Sequence, residues 1–220
     1  MSDNVVVIKH NMAQAILTRL RDRNTGQVEF RSGLIALGRI IGYEIVNELE
    51  AEPIEVETPL GVRAMGIRIP DLDHVVIVQI LRAAMPLAQG LVEIFSNARV
   101  GVVSAKRVES SHVPGSLEFE VDVDYVRVPK IRSEDVLIVA DPMLATGSTI
   151  VAVLDKILTY GSPKRTIIAS VIGTEYGIRK VRERFPDVKI YAVALDPALN
   201  EMGYIVPGLG DAGDRAFGSG

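Results

Sequence analysis

The feature that most constrains this chain is the stretch 136–149, Val-Leu-Ile-Val-Ala-Asp-Pro-Met-Leu-Ala-Thr-Gly-Ser-Thr. Its first five residues are an unbroken apolar run, which suits a strand covered on both faces and so requires a layered α/β domain. Asp141 stands where that strand ends, small and hydroxylated residues run from Ala145 to Thr149, and helical patterning begins at Ile150. Strand, acid, small-residue turn and helix start are the layout of a phosphate cradle. Turn amides converge on a concavity, the helix N-terminus adds partial positive charge, and Thr146, Ser148 and Thr149 can donate hydroxyls. No basic residue lies in the loop, and the Gly-Lys-Ser/Thr ending of a Walker loop is missing. An acid before the turn suits hydroxyls more than phosphate, so the expected ligand carries both: a phosphorylated sugar. The same residues also describe an ordinary strand-to-helix connection capped by threonine or serine.

Apolar runs predict strands at 74–80, 99–104, 135–140, 165–171 and 189–194, with helices at 86–96, 148–160 and 175–185. That alternation predicts an α/β fold, a doubly wound parallel five-stranded sheet. Ligands of such sheets bind beyond the carboxyl ends of the strands, where Asp141 should sit. Ahead of the sheet, Asn11 is placed to cap a helix carrying Ala13, Ile16, Leu17 and Leu20, which ends near Asn24-Thr25-Gly26. A second helix, from about Val28 to Glu50, carries Phe30, Leu34, Leu37, Ile41, Ile45 and Leu49 as core or as a subunit contact. Residues 54–69 turn strand-like around Pro59-Leu60-Gly61, the signature of a hairpin arm.

Two regions break the rhythm. Residues 107–115 are polar and read as a mobile flap, followed by apolar and charged residues alternating over 117–128. Glu118, Glu120, Asp122 and Asp124 share one face there, which reads as a solvated strand face rather than a metal site. From Asp196 the chain is rich in Gly and Pro. The expected organisation is a single domain over 1–220: N-terminal helices (1–53), hairpin arm (54–70), α/β core (71–195, with the flap at 105–130) and a C-terminal hood (196–220).

With 220 residues, 48% of them hydrophobic and 24% charged, a soluble domain with a substantial core is expected. A net charge of −4 gives no basic field for nucleic acid. The lack of cysteine excludes disulfides, thiolate catalysis and cysteine-based metal sites. No apolar run approaches the roughly 20 residues that cross a bilayer, so no membrane partner and a cytoplasmic location are expected.

Three further constellations carry chemistry. Arg82, flanked by small residues in Leu81-Arg82-Ala83-Ala84, follows the first core strand and is placed to meet an anion, although a surface arginine in a short connection reads the same way. Lys106 and Arg107 end another strand and open the flap, which should bring cationic groups near Asp141. In the tail, Gly208-Leu209-Gly210-Asp211-Ala212-Gly213 formally matches G-x-G-x-x-G, but it follows no buried strand and too few residues remain for a β-α-β unit. A backbone-lined pocket for a flat polar ligand, with Asp211 beside it, is the more economical reading. His10, His74 and His112 form no metal spacing, and no nucleophilic triad can be assembled.

Leu81-Arg82-Ala83, the run from Asp141 to Thr149, Leu199-Asn200-Glu201 and the tail from Tyr204 to Arg215 together resemble the uracil phosphoribosyltransferase family, tightly from about Ile80 to Gly218 and loosely before that. The chain departs from the wider phosphoribosyltransferase pattern at Pro142, where most relatives carry a second acid. The resemblance implies a type I phosphoribosyltransferase fold. It also implies transfer of phosphoribosyl from 5-phosphoribosyl-1-diphosphate to uracil, giving UMP and pyrophosphate. Asp141, Pro142, Met143, Leu144, Ala145, Thr146, Gly147, Ser148 and Thr149 would line the phosphoribosyl substrate, with 146–149 on the 5′-phosphate and Asp141 on the ribose hydroxyls. Arg82 and Arg107 would hold the diphosphate. Ile205, Gly210, Asp211 and Ala212 would read uracil mainly through main-chain groups. Asp211 would also face the phosphoribosyl substrate and its Mg2+ through water, with no direct protein ligand to the metal. Arg82, Asp141 and Asp211 are the expected catalytic residues. Relatives often have a cis peptide beside the equivalent of Arg82. They form dimers or tetramers, and several respond to GTP, so a homodimer or homotetramer with a GTP effector is implied.

Two other functions stay open on the residues alone. One is transfer to another base, such as orotate or a purine; orotate's carboxylate would want a cation that Arg215 could supply. The other is a non-catalytic sensor of phosphoribosyl diphosphate, against which the acidic balance counts.

Overall fold

Successive residues of the central strand point to opposite sides of the sheet, and each side has its own core. In the computed structural model, which describes residues 4–108 and 116–219, Val136, Ile138 and Ala140 join one buried cluster while Leu137 and Val139 join another. The first cluster is closed by α1 (Asn11–Arg21), α2 (Gln27–Asn47) and α3 (Met85–Ile94), and the second by α4 (Ser148–Ile157) and α5 (Glu175–Arg184). The chain is an α/β protein with a mostly parallel central sheet.

All five expected strands are present: β4 (Val75–Leu81), β5 (Arg99–Arg107), β7 (Val136–Ala140), β9 (Arg165–Thr174) and β10 (Lys189–Asp196). The sheet extends beyond them. β1 (Val5–Val7) adds in parallel to β10, and β6 (Val121–Arg127) adds antiparallel to β5, giving the order β1-β10-β9-β7-β4-β5-β6. A two-residue β8 (Met143–Leu144) pairs with β9 beyond the end of β7. Three residues are too few to show a period, so β1 had no readable signal. It forms because the edge of β10 offers unpaired amides and carbonyls.

The N-terminal helices are present with shifted ends. His10, not Asn11, caps α1, its Nδ1 accepting from the Met12 N–H at 3.2 Å. The apolar stripe of α2 is core: Phe30, Leu34, Leu37, Ile41 and Ile45 are fully buried. Glycines let α2 and α3 cross backbone to backbone. A Cβ on Gly38 would lie 2.2 Å from the Leu87 carbonyl oxygen, and one on Gly90 would lie 2.1 Å from that of Ile35. The hairpin forms from β2 (Glu52–Glu57) and β3 (Arg63–Arg68), with Leu60 88% and Met65 72% exposed.

Residues 109–115, most of the polar stretch 107–115 of the expected flap, and His112 with them, lie outside the described residues. On either side of them the chain is a β5–β6 ladder ending at the Arg107–Val121 pair. Glu118, Glu120, Asp122 and Asp124 are exposed, and no group of three potential metal ligands occurs among the described residues. No helix among the described residues is long and apolar enough to cross a membrane.

Candidate active site

The cradle is built where β7 stops. Asp141 still donates its N–H to the Ala169 carbonyl at 3.1 Å, but Pro142 has no N–H to give. The Pro142 carbonyl accepts from both Val171 and Ile172 at 3.1 Å, and β8 then rejoins β9. Leu144 is 1% exposed, its side chain turned into the second core. Pro142 and Leu144 therefore anchor the loop by its sheet-facing side, leaving Asp141 and residues 145–149 to shape the concavity.

The loop rests on α5. Thr174 caps that helix, accepting from the Gly177 N–H at 3.0 Å and donating its hydroxyl to the Ala145 carbonyl at 2.7 Å. A Cβ on Gly177 would stand 2.3 Å from the Ala145 carbonyl oxygen, and one on Gly147 would stand 2.7 Å from that of Gly177. Gly147, at φ 80°, is the cap residue of α4 and supplies no side-chain cap. The ordinary threonine- or serine-capped connection is thus not what forms. Instead α4 opens with its first-turn amides beside the buried hydroxyls of Thr146 and Ser148, which lie 3.3 Å apart. Amides, a helix N-terminus and hydroxyls converging in one turn suit an anion.

Asp141 accepts from the Met143 N–H at 3.2 Å. Burial pushes its carboxyl up to about 6, against the Met143 hydrogen bond and the positive charge of Arg107. Some of its surface still meets solvent, so the enclosing loop and sheet, rather than complete closure, account for the direction. Arg107 joins the cradle to the tail. It donates to the carbonyls of Met202 at 3.3 Å and Gly203 at 3.5 Å, and it stacks 4.4 Å over the Phe119 ring. Burial lowers its pKa while Tyr204, Asp141 and Asp211 act in the opposite direction.

The other two expected cations are placed differently. Arg82 follows a cis Leu81–Arg82 peptide and reaches the tail, donating to Asp214 Oδ1 and the Gly218 carbonyl, each at 3.3 Å. Lys106 turns away from the cradle and pairs with Asp124 at 3.6 Å on the exposed face of the β5–β6 ladder. Side chains alternate along a strand, so Lys106 and Arg107 cannot both face the site.

The tail folds as a small hairpin, β11 (Ala198–Leu199) with β12 (Ile205–Val206), a cis Val206–Pro207 turn and a short helix, α6 (Ala212–Phe217). Ile205 and Ala212 are buried, whereas Gly210 and Asp211 are exposed. Asp211 caps α6, accepting from the Asp214 N–H at 2.9 Å. A Cβ on Gly213 would meet the Ala83 methyl at 4.0 Å, so α6 sits against the turn that carries Arg82.

Residues with no local sequence signal hold this tail. Asp196, 5% exposed at the end of β10, takes a bidentate pair from Arg21 (2.7 and 2.5 Å) and the Gly208 N–H at 2.8 Å. Arg21 also donates to the Gly208 carbonyl at 2.7 Å. Arg215 donates to the carbonyls of Leu20, Leu209 (2.8 Å) and Asp22 (2.6 Å), closing the C-terminus of α1 and stacking over Phe30. Committed in this way, Arg215 is not available as the cation that an orotate carboxylate would need. Thr174, at the end of β9, and Lys180 of α5 join the site without having been expected there. A capping threonine before Glu175-Tyr176-Gly177 was a readable signal, but Lys180 is one of several charges on a helix face.

A parallel sheet covered on both faces, with a hydroxyl-rich turn at its carboxyl edge and a tail folded over that edge, defines a type I phosphoribosyltransferase fold. A solved adenine phosphoribosyltransferase from Trypanosoma brucei shares it, at TM-score 0.57 and 10% identity over 89% of this chain and 85% of that one. A family model described as uracil phosphoribosyltransferase matches residues 7–219. Curated uracil phosphoribosyltransferases from Pyrobaculum arsenaticum (55% identity, 97% of this chain and 98% of the relative) and Metallosphaera sedula (53%, 92% and 94%) are similar throughout. So is the solved structure of the AQ2163 protein from Aquifex aeolicus, at 31% identity and TM-score 0.86 over 97% of this chain and 98% of that one. The chain belongs to the uracil phosphoribosyltransferase family, and that membership makes it a pentosyltransferase.

Proposed function

We propose that the chain is a single phosphoribosyltransferase domain that transfers 5-phosphoribosyl from phosphoribosyl diphosphate to uracil, releasing UMP and pyrophosphate. The observation that carries this reading is Arg107, whose guanidinium reaches the tail carbonyls and feels both Asp141 and Asp211. One side chain thereby ties the sugar-phosphate cradle to the base-binding tail.

The 5′-phosphate sits on the first-turn amides of α4 and the hydroxyls of 146–149. Asp141 accepts from the ribose hydroxyls. Uracil lies against main-chain groups of Ile205, Gly210, Asp211 and Ala212, which suit a small neutral base. Displacement at the anomeric carbon builds positive charge on the sugar and requires no covalent nucleophile. Arg82 and Arg107 neutralise the departing diphosphate, and the tail keeps water from the cation.

The oxygen donors present suit a divalent ion that arrives on the substrate's own phosphates. No described triad of ligands makes a protein cage, and Asp211 is exposed where it can meet such an ion through water. When bound, Mg2+ supplies charge neutralisation on the diphosphate. The same reading includes a GTP effector, a cytoplasmic location, and self-association through the exposed hairpin, where Val62, Met65 and Ile67 are all more than half exposed.

Steady-state UMP formation with purified protein, uracil and phosphoribosyl diphosphate, with and without GTP, tests the reading. Orotate and hypoxanthine serve as competing bases. Arg107→Ala should raise KM for phosphoribosyl diphosphate by about tenfold or more, and wild-type kinetics in that variant would overturn the assignment.

A further inference from the structure

The cradle's loop has no basic residue of its own, yet the fold delivers one from another element. Lys180 of α5 donates from Nζ to Ser148 Oγ at 2.9 Å, and Ser148 is the first residue of α4. Its side chain is 21% exposed and reaches from α5 to the first residue of α4. Any anion accepting from the Ser148 hydroxyl and the α4 amides therefore comes within reach of this ammonium.

A carboxylate of the chain itself also meets that ammonium. Glu118, on the segment leading into β6, accepts from Lys180 through Oε2 and from the Tyr176 hydroxyl through Oε1 at 3.0 Å. The Lys180 hydrogen bond is the chief cause that lowers the Glu118 pKa, burial opposes it and Tyr176 adds to it. Glu118 is 68% exposed, so its carboxylate can leave into water at little cost. Lys180 is the less exposed partner and also donates to Ser148, so it leaves less freely.

We propose that Lys180 is the cation of the phosphate cradle and that Glu118 is its internal competitor, a carboxylate that the incoming 5′-phosphate displaces. This rests on the reading that residues 146–149 hold the 5′-phosphate. A phosphate dianion outbids a carboxylate for the ammonium because it also takes the α4 amides and the neighbouring hydroxyls, which Glu118 does not reach. Displacing Glu118 gives up its two ties to α5, those to Lys180 and to the Tyr176 hydroxyl. A site whose competent form is only partly populated binds its ligand more weakly by that fraction. Removing the competitor must therefore tighten binding, while removing the cation must weaken it.

The test is calorimetric titration of the full-length protein with ribose 5-phosphate, which carries the phosphate and the hydroxyls without the diphosphate. Lys180→Met should raise Kd about tenfold or more, Lys180→Arg should restore most of the affinity, and Glu118→Gln should lower Kd about threefold. Opposite signs are the signature, because a purely structural ion pair would lower the melting temperature in both variants and leave ribose 5-phosphate affinity unmoved. Equal Kd values for wild type, Lys180→Met and Glu118→Gln would overturn the proposal, as would a shift of the same sign in both variants. Thr149→Val separates this failure from failure of the underlying reading. If Thr149→Val weakens binding and Lys180→Met does not, only the role of Lys180 falls. If Thr149→Val also has no effect, the cradle is not the phosphate subsite and both fall.

Discussion

The cradle and the tail face each other across Arg107, but they are held by opposite kinds of interaction. The cradle is local: Asp141 to Thr149 are consecutive, and their partners in β9 and α5 lie within about one β-α unit along the chain. Much of its contact is backbone against backbone, with no room for a side chain at Gly177, and the Thr174 hydroxyl adds a short side-chain bond. The tail is remote: Arg21 meets Asp196 and Gly208, and Arg215 meets Leu20 and Asp22, across 175 to 195 residues. It is fastened by charged side chains gripping carbonyls and one buried carboxylate. The cradle is thus built into the sheet edge, whereas the tail is an appendage whose position depends on a few ionic ties. Donor binding and base binding should therefore be separable by mutation.

The largest effect is expected where the tail is tied down. Asp196→Ala leaves Arg21 without its buried partner and should cost about 3–5 kcal/mol in urea unfolding. Any residual activity should show a raised KM for uracil with less change for phosphoribosyl diphosphate. An unchanged midpoint would break the contrast. Next is Arg82→Ala, which should lower kcat about 10²–10³-fold, or some 3–4 kcal/mol, if Arg82 leaves Asp214 to meet the departing diphosphate. Loss of binding with kcat intact would make it a tail-positioning residue instead. Gly177→Ala should cost about 1–3 kcal/mol by overpacking. It should raise KM for phosphoribosyl diphosphate and spare KM for uracil, the mirror image of Asp196→Ala.

The smallest effect concerns Asp141. Its carboxyl is raised from 3.8 to about 6, so the folded state holds the proton more tightly than the unfolded chain. Its contribution to stability therefore falls as pH climbs from about 4 to about 6 and stays lower above that. Asp141→Asn should be more stable than wild type at pH 7.5 by about 1 kcal/mol, a figure reduced for the solvent contact that Asp141 retains. Wild-type kcat/KM for phosphoribosyl diphosphate should fall as pH drops through about 6, because only the ionised form accepts from ribose hydroxyls, and Asp141→Asn should lose that limb. A pH profile identical in the two proteins would remove Asp141 from ribose binding.

Legibility followed the same divide. The five apolar strands and the helices between them were readable because burial on both faces leaves unbroken hydrophobic runs. The cradle was readable because its acid, glycine and hydroxyls are adjacent. β1 was too short to show a period, and α6 was hidden because its cap, Asp211, read as a ligand-facing carboxylate. Lys106 and Arg107 looked equivalent as neighbours, yet the pleat of β5 sends them to opposite faces.

By itself the sequence determined the α/β class, the covered parallel sheet, the turn after β7 and the family resemblance of the tail. Those properties depend on which residue types stand next to one another, and adjacency is what a sequence records. Only the tertiary structure decided that Arg215 closes α1, that Arg21 and Asp196 anchor the Gly208 turn, and that Lys180 arrives beside Ser148. A long charged side chain can reach many partners, and which one it meets is set by where the packed helices bring its stem.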